Sequence, residues 1–123
     1  MDDERIVTEV AKAYLKALGY ATEVAGNGTE AIEMYKNAER AGSPFDIVIL
    51  DLTVPGGMGG EETIVKLLEI DPQVKAIVAS GYSDDPIITN YAQNGFMGAL
   101  IKPYTLEELH AVLSGIARHV QKK

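Results

Sequence analysis

The sequence contains no cysteine. That excludes disulfides and thiolate metal sites and suits a cytoplasmic protein. No apolar run approaches the ~20 residues needed to cross a bilayer, and no secretory signal is legible at the amino end. Basic residues are scarce: 11 Lys and Arg stand against 18 Asp and Glu, a formal charge of −7. This balance argues against nucleic acid binding through this domain, because a phosphate-binding face needs a basic excess. It leaves room for a divalent cation or a basic partner surface. Internal repeats, low-complexity tracts and linkers are also missing. What remains is 123 residues of ordinary apolar content, enough for one soluble domain with a single sizeable core.

The central stretch is Phe45-Asp46-Ile47-Val48-Ile49-Leu50-Asp51. Its consecutive apolar residues read as a strand buried on both faces, as in a parallel sheet. The run ends in a carboxylate, and a Pro/Gly-rich loop, Leu52 to Gly60, follows. In an open α/β sheet, chemistry collects beyond the carboxyl ends of the strands. Asp51 is therefore the first candidate for a working residue, against the plainer reading of a turn or capping Asp.

The amino end opens with Asp2, Asp3 and Glu4. The next segment, up to Leu18, carries Ile6, Val10, Tyr14 and Ala17 at helical spacing and stops at Gly19. Tyr20 to Ala25 reads as a short strand, and Thr29 to Ala41 as a second helix. After the central strand, Glu61 to Ile70 is a third helix, and Lys75 to Ala79 is a strand ending at Ser80. Pro86 to Asn94 is a short fourth helix, and Asp84-Asp85 supply its cap. Gly98 to Ile101 is the last strand and ends in Lys102-Pro103. Thr105 with Glu108 forms a capping box. It opens a final helix with Leu109, Val112, Leu113, Ile116 and Val120 apolar. His110 and His119, on that helix, read as solvated. Alternating strand and helix imply a parallel sheet covered on both faces.

Asp51, Ser80 and Lys102 thus end three strands, and an acid, a hydroxyl and an amine would converge there. Carboxylates from Asp2 and Asp3 beside Asp51 would repel one another. A hard cation such as Mg²⁺ would resolve that repulsion. With Lys102 and Ser80 as partners for phosphate oxygens, the set suits phosphoryl transfer onto Asp51.

Asp2-Asp3-Glu4, Ile47 to Asp51, Pro55-Gly56-Gly57-Met58-Gly59-Gly60, Ala79-Ser80-Gly81-Tyr82 and Lys102-Pro103-Tyr104 resemble the receiver domain of two-component response regulators. The likeness is greatest to receivers of hybrid sensor histidine kinases and covers nearly the whole chain as a single receiver domain, 1–123. It implies a flavodoxin-like (βα)5 fold. It implies that Asp51 accepts a phosphoryl group from a histidine kinase or phosphotransfer protein and that it is not otherwise an enzyme. It further implies Mg²⁺ held by Asp2, Asp3, Asp51 and the backbone carbonyl of Thr53, and contacts from Ser80 and Lys102 to the phosphoryl group. Phosphorylation then shifts the face formed by the fourth helix, the last strand and the last helix. A cis Lys102-Pro103 bond is expected, and Tyr82 either shields the site or stands as an exposed loop aromatic.

The main departure is at the amino end. Receivers carry a central apolar strand just before the acidic pair, in sheet order 2-1-3-4-5, and here Met1 stands where that strand should end. Burying some five apolar side chains contributes roughly 8–15 kcal/mol. Something must therefore fill the gap. Either Tyr20 to Ala25 closes up beside Ile47 to Leu50, or two chains share elements as a homo-oligomer. The same loss leaves Asp2 and Asp3 on an untethered terminus. Ala99 stands where many receivers have a switching aromatic. A phosphorylation-independent pseudo-receiver, acting as a dimerisation or docking module, is the alternative function. A haloacid-dehalogenase-like phosphatase is disfavoured because it needs an Asp where Thr53 stands.

Overall fold

In the computed structural model, which describes residues 1–121 and side chains as far as Ile116, helix and strand alternate from Gly28 onward, after a first helix with no strand between. The elements are α1 (Arg5–Ala17), α2 (Gly28–Arg40), β1 (Val48–Asp51), α3 (Gly60–Ile70), β2 (Ala76–Ser80), α4 (Pro86–Thr89), β3 (Gly98–Ile101) and α5 (Leu106–Gln121). Val120 and His119, expected on α5, lie outside the described side chains. The helix ends follow their local chemistry. Asn27 accepts the Glu30 N–H at 2.9 Å and caps α2. Asp85 accepts the Ile87 N–H at 2.9 Å and caps α4. Thr105 and Glu108 bond reciprocally at 3.1 and 2.9 Å before α5. Gly19, at φ 91°, follows α1 in the left-handed region that glycine favours.

The three strands are parallel, in order β1-β2-β3. Val48 pairs with Ala76, and Ser80 with Ile101. Strand β2 is buried at every position, as a central parallel strand should be. Its side chains alternate between two cores. Ala76 and Val78 join Leu50, Ile64 and Leu67 under α2 and α3. Ile77 and Ala79 join Leu100, Leu109 and Leu113 under α5.

Two expected elements differ. The fourth helix breaks at Asn90 (φ −115°, ψ 41°) and resumes as a 3-10 turn, Tyr91–Asn94. The Asn90 carbonyl accepts from the Asn94 side chain at 2.9 Å and from the Gln93 N–H at 3.1 Å. Local amide bonding of this kind competes with helix continuation. Residues 21–25 are not a strand, nor do they close up against β1. Between them and residues 45–49 lies a cavity of about 540 Å³. A single residue fills its upper end. The Met1 ammonium donates to the Ile49 carbonyl at 2.6 Å. The Asp51 N–H donates to the Met1 carbonyl at 2.9 Å, and the Asp2 N–H to the Ala25 carbonyl at 3.1 Å. The first two bonds are the slanted pair of a parallel ladder. They also correct the expectation of an untethered terminus: Asp2 is fixed and buried.

The loop after β1 is close-packed at its end. A Cβ at Gly59 would collide with the Leu52 carbonyl oxygen, and one at Gly60 would lie 2.9 Å from the Asp51 carbonyl oxygen. Neither neighbour is a flexible side chain. Gly59→Ala is therefore expected to destabilise the fold by about 2–3 kcal/mol, from forced backbone displacement. A chemical denaturation midpoint checks it.

Candidate functional site

Asp51 is the last residue of β1, and it is buried because the sheet continues past it. The Leu52 N–H donates to the Ala79 carbonyl at 2.9 Å, one step beyond the Asp51–Ala79 pairing. Ser80 ends the adjacent β2, buried, and its carbonyl accepts the Lys102 N–H at 2.8 Å. Lys102 directly follows β3, and the Lys102-Pro103 bond is cis. Its ammonium donates to Asp51 Oδ1 at 3.0 Å and to Asp2 Oδ2 at 3.1 Å. The structure therefore gathers Asp51, Ser80 and Lys102 at one sheet edge and adds Asp2.

The charges strain against burial there. Burial pushes the Asp51 carboxyl up from its ordinary value. The Lys102 hydrogen bond pulls it back, and the Asp2 charge raises it again. Burial acts to lower the Lys102 pKa, but the bonds and charges of Asp51 and Asp2 prevail, and the ammonium is raised. Lys102 thus serves as the fixed counter-ion of two buried carboxylates.

The other sequence-derived residues fall around this core. The carboxylates of Asp2, Asp3 and Glu4 could gather on one ion, with ligand atoms within 4.8 Å of one another. Asp3 is exposed, as is Thr53 two residues beyond Asp51. The Ser80 hydroxyl accepts the Tyr82 N–H at 3.1 Å. Tyr82 is 67% exposed, as the loop-aromatic reading expects. Tyr104 packs against Tyr14, ring centroids 6.3 Å apart, and burial raises its phenol pKa. Ala99 sits half-buried in β3. His110 is exposed, as expected, and His119 lies outside the described side chains. Met1 is the residue that sequence reasoning missed. Its part is played by backbone groups, which leave no side-chain signature.

Among the described residues, no helix is long and apolar enough to cross a membrane. Residues 1–114 match the family of response regulator receiver domains. The chemotaxis protein CheY of Thermotoga maritima is 30% identical over 121 residues, 96% of this chain and 94% of that protein. The sensor kinase CckA of Brucella abortus is 32% identical over 109 residues, 89% of this chain but 11% of that protein. The chain likewise spans only 19% of transcription factor SKN7 of Candida albicans, at 26% identity over 93% of this chain. Among solved structures, the CheX-CheY-BeF3-Mg complex of Borrelia burgdorferi superposes with a TM-score of 0.83 at 22% identity, over 94% of this chain and 84% of that one. Response regulator protein TrrA of Thermotoga maritima, in complex with Mg-BeF, gives 0.76 at 25% identity, over 93% and 92%. The family match, the CheY likeness and a carboxylate–lysine pair at the edge of a parallel α/β sheet agree: the chain belongs to the response regulator receiver domains of two-component signalling.

Proposed function

We propose that Asp51 is the phospho-acceptor, taking a phosphoryl group from a phosphohistidine of a histidine kinase or phosphotransfer protein. The observation that carries this is the buried Asp51 carboxylate held 3.0 Å from the Lys102 ammonium. In the transfer, an Asp51 oxygen bonds to phosphorus as the phosphorus–nitrogen bond breaks. The electron pair stays on the imidazole, which takes up a proton. Lys102 turns from Asp51 Oδ1 to a phosphoryl oxygen, and the Ser80 hydroxyl donates a hydrogen bond to another. Both positions stabilise charge where it develops.

The donor set fits Mg²⁺, a hard cation that takes oxygen ligands and keeps several waters. Asp2, Asp3, Asp51 and the Thr53 carbonyl would hold it. The Asp2 and Asp51 carboxylates converge on one Lys102 ammonium, and burial lowers the pKa of the nearby Met1 amine, so the cluster has room for further positive charge. When bound, Mg²⁺ neutralises charge on the phosphoryl oxygens. The altered charge at Asp51 then biases the α4–β3–α5 face through Lys102, which is joined to β3.

The test is incubation of the full chain with acetyl phosphate and Mg²⁺, read by intact mass. A single phosphoryl increment is expected in the wild type and none in Asp51→Asn or with a chelator present. No increment, together with unchanged spectra on beryllofluoride titration, leaves the docking-module reading in its place.

A further inference from the structure

We infer that Gly28, the first residue of α2, is a positioning residue for the cation site at Asp51. The inference rests on the Mg²⁺ reading of that site and adds to it a residue from outside the sheet edge. The loop that carries the Thr53 carbonyl is tied to the sheet and to α3. The Leu52 N–H donates to the Ala79 carbonyl at 2.9 Å, and the Leu52 carbonyl accepts the Gly60 N–H at 3.3 Å. The Val54 carbonyl accepts the Gly57 N–H at 3.0 Å around Pro55 and Gly56, whose φ of 74° suits a type II turn. Thr63, fully buried, donates its hydroxyl to the Gly59 carbonyl at 2.7 Å. One further bond comes from α2: the Gly28 N–H donates to the Met58 carbonyl at 2.8 Å. The first N–H groups of a helix lack partners within it, and this one is turned to the loop.

Position 28 requires glycine for space, not for conformation. Its φ is not in the left-handed region, and alanine is the better helix former. A Cβ there would overlap Thr63 Oγ1 and lie 2.8 Å from Met58 Cγ and 2.9 Å from the Met58 carbonyl oxygen. Thr63 cannot rotate away without giving up its bond to Gly59, and the Met58 carbonyl is main chain. The yielding part is the loop itself, whose Gly56, Gly57 and Gly59 resist displacement little. A side chain at position 28 therefore drives the loop away from α2, and the Thr53 carbonyl moves with it.

Mg²⁺ demands near-ideal octahedral geometry and tolerates little displacement of its oxygen ligands. Groups that seat those ligands are worth 10- to 100-fold in affinity in typical metal sites. The contact between Gly28 and Met58 is such a seat. The coupling is reciprocal. An opening that parts Met58 from Gly28 also frees the loop, and a bound cation opposes that opening by its own binding free energy. The amino end of α2 thus feels whether the cation is present.

The test uses the full chain and Mg²⁺ alone, titrated by amide NMR. Gly28→Ala, checked for folding by circular dichroism, should bind Mg²⁺ about tenfold more weakly than the wild type. Asn27→Ala loses the cap of α2, and stability with it, but leaves the space at Gly28 open. It should bind Mg²⁺ as the wild type does, which separates positioning from a merely structural role. In the wild type, hydrogen exchange at the Gly28 N–H should slow about tenfold when Mg²⁺ stands at about ten times its Kd. That measurement needs no variant to fold. Exchange at the Ala41 N–H, bonded to the Asn37 carbonyl at the other end of α2, should stay as it was. The inference is overturned if Gly28→Ala binds Mg²⁺ like the wild type, if Asn27→Ala loses as much affinity, or if Mg²⁺ leaves exchange at Gly28 unchanged. A wild type that binds no Mg²⁺ removes the metal reading, and this inference with it. Binding by the wild type that is undiminished in Gly28→Ala removes this inference alone.

Discussion

Lys102→Met is expected to destabilise the domain by about 3–5 kcal/mol at neutral pH, the cost of removing one partner from a buried ion cluster. The side chains of Lys102, Asp2 and Asp51 are 17%, 8% and 4% exposed, so water screens little of their interaction. Without the ammonium, two buried carboxylates face each other and lose their hydrogen-bonded counter-charge, the bonds at 3.0 and 3.1 Å. Urea denaturation of the two proteins measures the difference. Lys102→Met/Asp51→Asn should recover part of the loss, because one of the two stranded charges is gone.

The pH dependence has a definite sign. The folded Asp51 pKa lies above its ordinary value. Across the window between the two, the folded state binds more protons than the unfolded one, so this group's contribution to stability falls as pH rises. In Lys102→Met the lowering influence of the ammonium is gone and the window extends upward. The deficit of the variant should therefore be largest at neutral pH and shrink on acidification. A deficit constant between neutral pH and the carboxylate range would contradict this.

Leu50→Ala is expected to cost a similar amount, about 3–5 kcal/mol, for a different reason. Leu50 is fully buried in β1 among Ile64, Leu67 and Val78. Truncation removes transfer free energy and leaves a void that β1, pinned to β2, cannot collapse to fill. Typical domains are stable by only about 5–15 kcal/mol in total. Because Leu50 precedes Asp51, the variant should also show a disturbed site. Val65→Ala provides the contrast: Val65 is 57% exposed on α3, and its loss should stay within about 0.5 kcal/mol. Thermal and urea melts of both variants make the comparison.

Much of this arrangement was legible in the residues. The apolar runs Ile47–Leu50, Lys75–Ala79 and Gly98–Ile101 end in Asp51, Ser80 and Lys102, and parallel pairing brings those ends together. The capping box at Thr105 and the stop at Gly19 are local signals, and both appear as expected. What was not legible depends on neighbours. Tyr20 to Ala25 has strand-like composition, but a strand needs a ladder partner, and only Ala25 finds one, in Asp2. The break at Asn90 is decided by amide bonds that its sequence pattern does not announce. The anchoring of Asp2 depends on the Met1 main chain, which any residue type would supply.

The carboxylate of Asp2 serves two masters. One oxygen grips the lysine, and the other accepts the Glu4 N–H at 3.0 Å, at the foot of α1. No residue of α1 is fully buried, so that helix depends unusually on how its first turn is seated. Drawing Lys102 away from Asp2 would unload one side of this shared hinge, and a change of charge at the sheet edge would thereby reach the first turn of α1.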